Sequence, residues 1–124
     1  MENNKNLFII MNDFLMSKII DTMLKETPFE IEIISDVFEG INRIEKIEFS
    51  NKENNYIITD VVNSKYITKK KYKIISPDNL FILHMKDEYL RDLKGNVTCP
   101  IKDLYSYIDN DVNLLKKEGN HGRY

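Results

Sequence analysis

Tyr56-Ile57-Ile58-Thr59-Asp60-Val61-Val62 is the stretch on which the reading of this chain turns. A run rich in β-branched and aromatic residues reads as a strand with at least one buried face, and an ionised carboxylate inside it must be paired, hydrated or used. Asp60 is therefore the first candidate for chemistry. The plain alternative is that the strand emerges into solvent at that point.

Downstream, residues 65–75 alternate. Lys65, Ile67, Lys69, Lys71, Lys73 and Ile75 fall on one face, and Tyr66, Thr68, Lys70, Tyr72 and Ile74 on the other, which predicts a further strand with a wet lysine face. Ser76-Pro77-Asp78 then combines a capping oxygen, a proline suited to the first helical position and an acid near the positive end of the dipole. It predicts a helix running to Lys94, ended by Gly95-Asn96. A last helix opens at Pro100, with Ile101, Leu104, Tyr105, Ile108, Val112 and Leu115 at helical spacing.

Upstream, the polar turn 50–55 is of the kind that joins hairpin strands, and 44–49 reads as the strand before it. Residues 36–42 read as an irregular connection around Gly40. Phe29-Glu30-Ile31-Glu32-Ile33 alternates with the period of a half-buried strand, which gives Glu30 and Glu32 one shared, solvated face. Residues 6–11 read as a short strand that Asn12-Asp13 turns into a helix over 14–25, with Leu15, Ile19, Ile20, Met23 and Leu24 as its apolar stripe. A single helix from Leu7 is the competing reading. The whole predicts one α+β domain over 1–124, in which the N-terminal helix and two C-terminal helices cover a mostly antiparallel sheet. Residues 1–5 and 119–124 are expected to fray.

Composition sets outer limits. The 124 residues, 42% hydrophobic and 31% charged, suit one soluble domain with a modest core. Asn12, Asp13, Ser17 and Lys18 interrupt the N-terminal apolar region, so no membrane span or secretory signal is expected, and a cytoplasmic location is. The lone Cys99 has no intramolecular partner and no adjacent histidine to activate it, so it reads as a small buried residue. His84 and His121 lie far apart with no metal-ligand spacing. The net charge of −2 is unevenly spread: Lys65, Lys69, Lys70, Lys71 and Lys73 place +5 within nine residues, leaving −7 on the rest.

The order of elements and several local patterns resemble the later part of small polymerase-β-like nucleotidyltransferases, of the abortive-infection and antitoxin-like kind. Asn4-Lys5-Asn6-Leu7-Phe8-Ile9-Ile10 is similar to the strand that carries that family's paired acids, with both acids replaced. Ile57-Ile58-Thr59-Asp60-Val61-Val62 resembles the strand of the third acid, and residues 74–85 resemble the capped helix after the last strand. Arg91-Asp92 and Lys102-Asp103-Leu104 resemble charged positions around the closing helices. The Gly-Ser signature upstream of the paired acids has no counterpart before Asn4. The resemblance thus implies a degenerate site of Asn4, Asn6 and Asp60. Two-metal phosphoryl transfer needs several carboxylates to offset the charge of the ions, and neutral asparagines do not supply it.

The expectation is accordingly a catalytically inactive, nucleotidyltransferase-like regulatory or protein-interaction module, of the kind that serves a mobile-element, phage-defence or toxin–antitoxin system, with no cofactor and a protein partner. Two alternatives stand beside it. One is an active nucleotidyltransferase completed by a partner or upstream segment, with Asp60 holding Mg²⁺. The other is an unrelated small inhibitor or immunity-type protein. Lys65, Lys69, Lys71 and Lys73 are candidate phosphate contacts, although a solvated strand edge is the simpler account of them, because alternation puts both flanking tyrosines on the opposite face.

Overall fold

The computed structural model describes residues 5–46, 54–69, 77–84 and 87–110. In chain order they form β1 (Asn6–Ile10), α1 (Phe14–Leu24), β2 (Glu30–Ile34), α2 (Val37–Glu45), β3 (Asn55–Asp60), α3 (Val61–Lys69), β4 (Leu80–Leu83), β5 (Tyr89–Arg91) and β6 (Val97–Pro100). A 3-10 turn, Ile101–Asp103, then leads into a closing helix over 104–110. They make a single α+β domain around a six-stranded mixed sheet of order β2-β1-β3-β4-β5-β6. The antiparallel pairing expected of the sheet is found from β4 onward; β2, β1, β3 and β4 run parallel.

The parallel half follows from burial on both faces. Parallel strands joined by crossover helices are covered above and below, so they read as unbroken apolar runs rather than as alternation. Leu7, Ile9, Tyr56 and Ile58 pack with Ile20 and Leu24 of α1 and with Leu104 and Ile108 of the closing helix. Phe8, Ile10 and Ile57 point the other way, against Val37, Ile41 and Ile44 of α2 and Ile67 of α3. The hydrophobic face of each layer is thereby spent on both sides of one sheet.

Three sequence expectations change. Residues 37–45 form α2, where a connection followed by a strand was expected: Asp36 caps it by accepting from Phe38 N at 3.0 Å, and Val37, Ile41 and Ile44 make its buried stripe. Gly40 lies where a Cβ would come within 2.8 Å of Ile10 Cδ1, so its absent side chain lets α2 approach β1. Residues 61–69 form α3, not a strand. Its inner face is Asn63, Ser64 and Ile67, too polar to register as a hydrophobic stripe. Pro77–Asn79 is one 3-10 turn, after which Leu80-Phe81-Ile82-Leu83 is β4, buried along its whole length beside β3.

The strand at 6–10, the helix at 14–24 and the strand near 29–34 agree with the sequence reading, except that α1 buries Ser17, Ile20 and Leu24 and leaves Leu15 and Ile19 exposed. Ile101, Leu104 and Ile108 of the predicted last helix are buried; its Val112 and Leu115, the hairpin turn 50–53 and the frayed ends 1–4 and 119–124 lie outside the described residues.

Candidate functional site

Strand order fixes where a ligand site belongs. The chain leaves β1 through α1 toward β2 on one side, then crosses back through α2 to β3 on the other, so the order reverses between β1 and β3. In open sheets of this doubly wound kind, ligands bind beyond the carboxyl ends of the strands at such a reversal. The connecting loops diverge there and leave a crevice.

Asp13 and Asp60 occupy that position, at the ends of β1 and β3 respectively. Together with Asp87, which follows β4, they line a crevice of about 300 Å³ whose walls include Met11, Met16 and Leu83. Asp60 is half-buried and is the residue immediately before α3, where its Oδ1 accepts from Asn63 N at 2.7 Å in the manner of an N-cap. Asp13 is exposed and caps α1, accepting from Met16 N at 3.0 Å. Each carboxylate is thus held at the positive end of a helix dipole, where negative charge is stabilised.

A polar frame ties the strand ends together. Thr59 Oγ1 donates to the Ile10 carbonyl at 2.7 Å, clasping β3 to β1 at the reversal. Asn12 Nδ2 donates to the Ser35 carbonyl at 3.1 Å, and Asn12 Oδ1 accepts from Asn63 Nδ2 at 2.9 Å. Asn63 is buried, so its amide has few alternatives to these partners. Asp87 is differently occupied: its Oδ2 pairs with Arg91 at 3.3 Å and its Oδ1 accepts from Tyr89 N at 3.1 Å. The Tyr89 N–H first, and Arg91 after it, hold the Asp87 carboxyl below its ordinary value against some desolvation.

The residues named from sequence do not come together as one site. Asn6 begins β1 opposite Asn55, to which its amide donates at 2.9 Å, whereas Asp60 ends the parallel strand β3. Five residues of strand separate those levels, roughly 17 Å. Asn4, Lys71 and Lys73 lie outside the described residues. Lys65 is exposed on α3, and Lys69 is the last residue of that helix. Glu32 is paired with Arg43 of α2 at 3.2 Å. Buried Cys99 has its thiol pushed up to about 11 by desolvation, as befits a packed residue.

Asp13, Asn12, Asn63 and Asp87 are the site residues that sequence reading missed. Asn12-Asp13 directly after an apolar strand was legible only as a cap, and its nearness to Asp60 depends on β1 and β3 being parallel neighbours. Among the described residues no three His, Cys, Asp or Glu side chains stand close enough to cage a metal ion, and no helix is long and apolar enough to cross a membrane. No family model, curated protein or solved structure matches this chain.

Proposed function

We propose that this chain is a regulatory module without turnover of its own, modified at Asp60 by transfer of a phosphoryl group onto its carboxylate. The observation that carries the reading is that Asp13 and Asp60, from the ends of β1 and β3, line one apolar-walled crevice at the reversal of strand order.

The donor set fits a transient cation better than a resident one. Mg²⁺ keeps several waters and is commonly held by one or two carboxylates together with phosphate oxygens, so Asp13 and Asp60 suffice only when a phosphate completes the shell. Bound there, the ion would offset the charge that otherwise sets a carboxylate against a phosphate. An Asp60 carboxylate oxygen attacks the phosphorus of a small phosphoryl donor, the donor's leaving group departs with the bonding pair, and an acyl phosphate remains. Water later hydrolyses it and restores the carboxylate.

Regulation follows from where Asp60 stands. The residue that gains charge is also the one that caps α3 and neighbours the Asn63–Asn12 bond, so modification alters the first turn of a surface helix. This keeps the non-catalytic, regulatory role expected from the sequence. It gives less weight to a nucleotidyltransferase ancestry, since Asn6 stands at the opposite end of the sheet from Asp60.

The test is incubation with phosphoramidate or acetyl phosphate and Mg²⁺, read by intact mass. A gain of about 80 Da that is lost with chelator and in Asp60→Asn is the expected result. Transfer of a nucleotide from a labelled nucleoside triphosphate, abolished by the same substitution, would favour the enzymatic alternative.

A further inference from the structure

The crevice at the ends of β1 and β3 has more apolar wall than a hydrated metal ion uses. Met11 and Leu83 are buried along it, Met16 is half-buried, and Val61 and Val62 stand exposed at its mouth. Mg²⁺ keeps several of its waters and meets such walls only through them. A volume of about 300 Å³ lies at the small end of ligand cavities. The walls therefore suit a small molecule with an apolar body rather than a length of peptide.

The charge facing the crevice has one sign. Asp13, Asp60 and Asp87 line it, with no basic residue among the described lining. Asp87 is offset by Arg91. Asp13 and Asp60 have no such offset: Asp13 Oδ1 accepts from Met16 N, and Asp60 accepts from Asn63 N and, at 3.4 Å, from Asn63 Nδ2. Among the described residues neither has a basic partner. A helix dipole supplies the equivalent of only about half a charge at each cap. Two carboxylates beside apolar surface thus lack a counter-charge, and such groups are ordinarily paired.

We propose that the crevice binds a small primary amine, its ammonium donating to the Asp13 and Asp60 carboxylates and its hydrocarbon body lying against Met11, Met16 and Leu83. A primary ammonium carries three donors that can point at separate carboxylates. A guanidinium fork asks for both oxygens of one carboxylate, and at Asp60 both already accept from Asn63. A quaternary ammonium has no N–H to donate and prefers aromatic faces, of which the described lining has none. The two methionines favour an aromatic body on the amine, since a thioether adapts its shape and packs well against a ring. Binding does not require phosphoryl transfer. Because the same carboxylates are used, a bound amine also keeps a phosphoryl donor from Asp60, and that consequence alone rests on the modification reading.

The experiment titrates the full chain with 2-phenylethylamine, followed through the methyl resonances of Met11 and Met16. 2-Phenylethanol supplies the same body without the charge, and methylamine the charge without the body. Expected is saturable binding of the amine with a dissociation constant of about 1 mM or tighter. Affinity should be at least about tenfold lower for the alcohol and for methylamine, and about tenfold lower for the amine in Asp13→Asn and in Asp60→Asn. Asparagine keeps each helix cap, and circular dichroism checks that both variants fold. The proposal is overturned by no shift at about 10 mM amine, by equal affinity for the alcohol, by affinity indifferent to both substitutions, or by shifts that spare both methionines. Intact mass after phosphoramidate treatment separates the two readings. Modification of a protein that binds no amine refutes the present inference alone, and amine binding by a protein that is never modified upholds it and refutes the chemistry at Asp60.

Discussion

Asn63 Nδ2 donates to Asn12 Oδ1 at 2.9 Å, across 51 positions of sequence, and so fastens the first turn of α3 to the loop that follows β1. The bond joins the two segments that carry Asp60 and Asp13. Because Asn63 is 3% exposed, its amide cannot readily exchange protein partners for water. Asn63→Ala should therefore destabilise the fold by about 1–2 kcal/mol in urea denaturation. A change within experimental error would mean that the frame around the crevice is not holding the strand ends.

Asp60 has a structural duty separable from any chemistry. Asp60→Ala removes the acceptor for Asn63 N and should cost about 1 kcal/mol, while Asp60→Asn keeps a capping oxygen and should cost less. Thermal denaturation of the two variants gives the ordering. This separation is what lets Asp60→Asn report on modification without an unfolded control.

Gly40 tests the packing of α2 against the sheet. By helix propensity alone Gly40→Ala would gain up to about 1 kcal/mol. A Cβ there meets Ile10 Cδ1 at 2.8 Å and Ile10 Cγ1 and Cγ2 at 3.1 Å, and those last two atoms move only by a change in χ1, which is restricted in a buried β-branched side chain. Overpacking of this kind costs about 1–3 kcal/mol, so net destabilisation is expected. A more stable variant would show that Ile10 yields.

Much of the fold was legible where local pattern and tertiary context agree. The strand and helix at 6–24 carry both an apolar run and a capping aspartate, and Ile101, Leu104 and Ile108 keep helical spacing. Legibility failed where context overrode pattern. Helix α3 buries Asn63 and Ser64, so its inner face resembles a surface, and the apparent alternation of 65–75 had nothing to compete with it. Strand β4 is apolar on both faces, and periodicity does not separate such a run from a buried helical turn. Asp60 stood out because it is charged within an apolar run. Asp13 did not, since its relation to Asp60 arises only from the parallel register that sets Ile10 beside Thr59.

Acid should loosen the β5–β6 hairpin before the rest. Asp92 accepts from Lys94 N and Asn96 N, each at 2.9 Å, and these bonds, that from Asn96 foremost, hold its carboxyl below the ordinary value of 3.8. Asp87 is likewise depressed, first by Tyr89 N. A carboxylate with a lowered folded pKa stabilises fully above its unfolded pKa and loses that contribution as pH falls through the folded one. Hydrogen-exchange protection of residues 89–97, taken relative to the intrinsic exchange rate at each pH, should therefore fall below about pH 4 in the wild type. In Asp92→Asn that acid-induced loss of protection should be blunted. Identical acid profiles in the two proteins would refute the assignment.

Cys99 should be silent in the folded protein. Burial pushes its thiol up to about 11, so little of the reactive thiolate forms at pH 8. Alkylation by iodoacetamide should be slow under native conditions and rapid in urea. Fast native labelling would place the thiol in solvent.

The most direct measurement of the central claim is to locate the modification chemically. After incubation with phosphoramidate and Mg²⁺, borohydride reduces an aspartyl phosphate to homoserine, and peptide mapping identifies the position. Homoserine is expected at Asp60, with none when Mg²⁺ is chelated. Homoserine at Asp13 or Asp87 instead, or none at any aspartate while the protein remains folded, would contradict it.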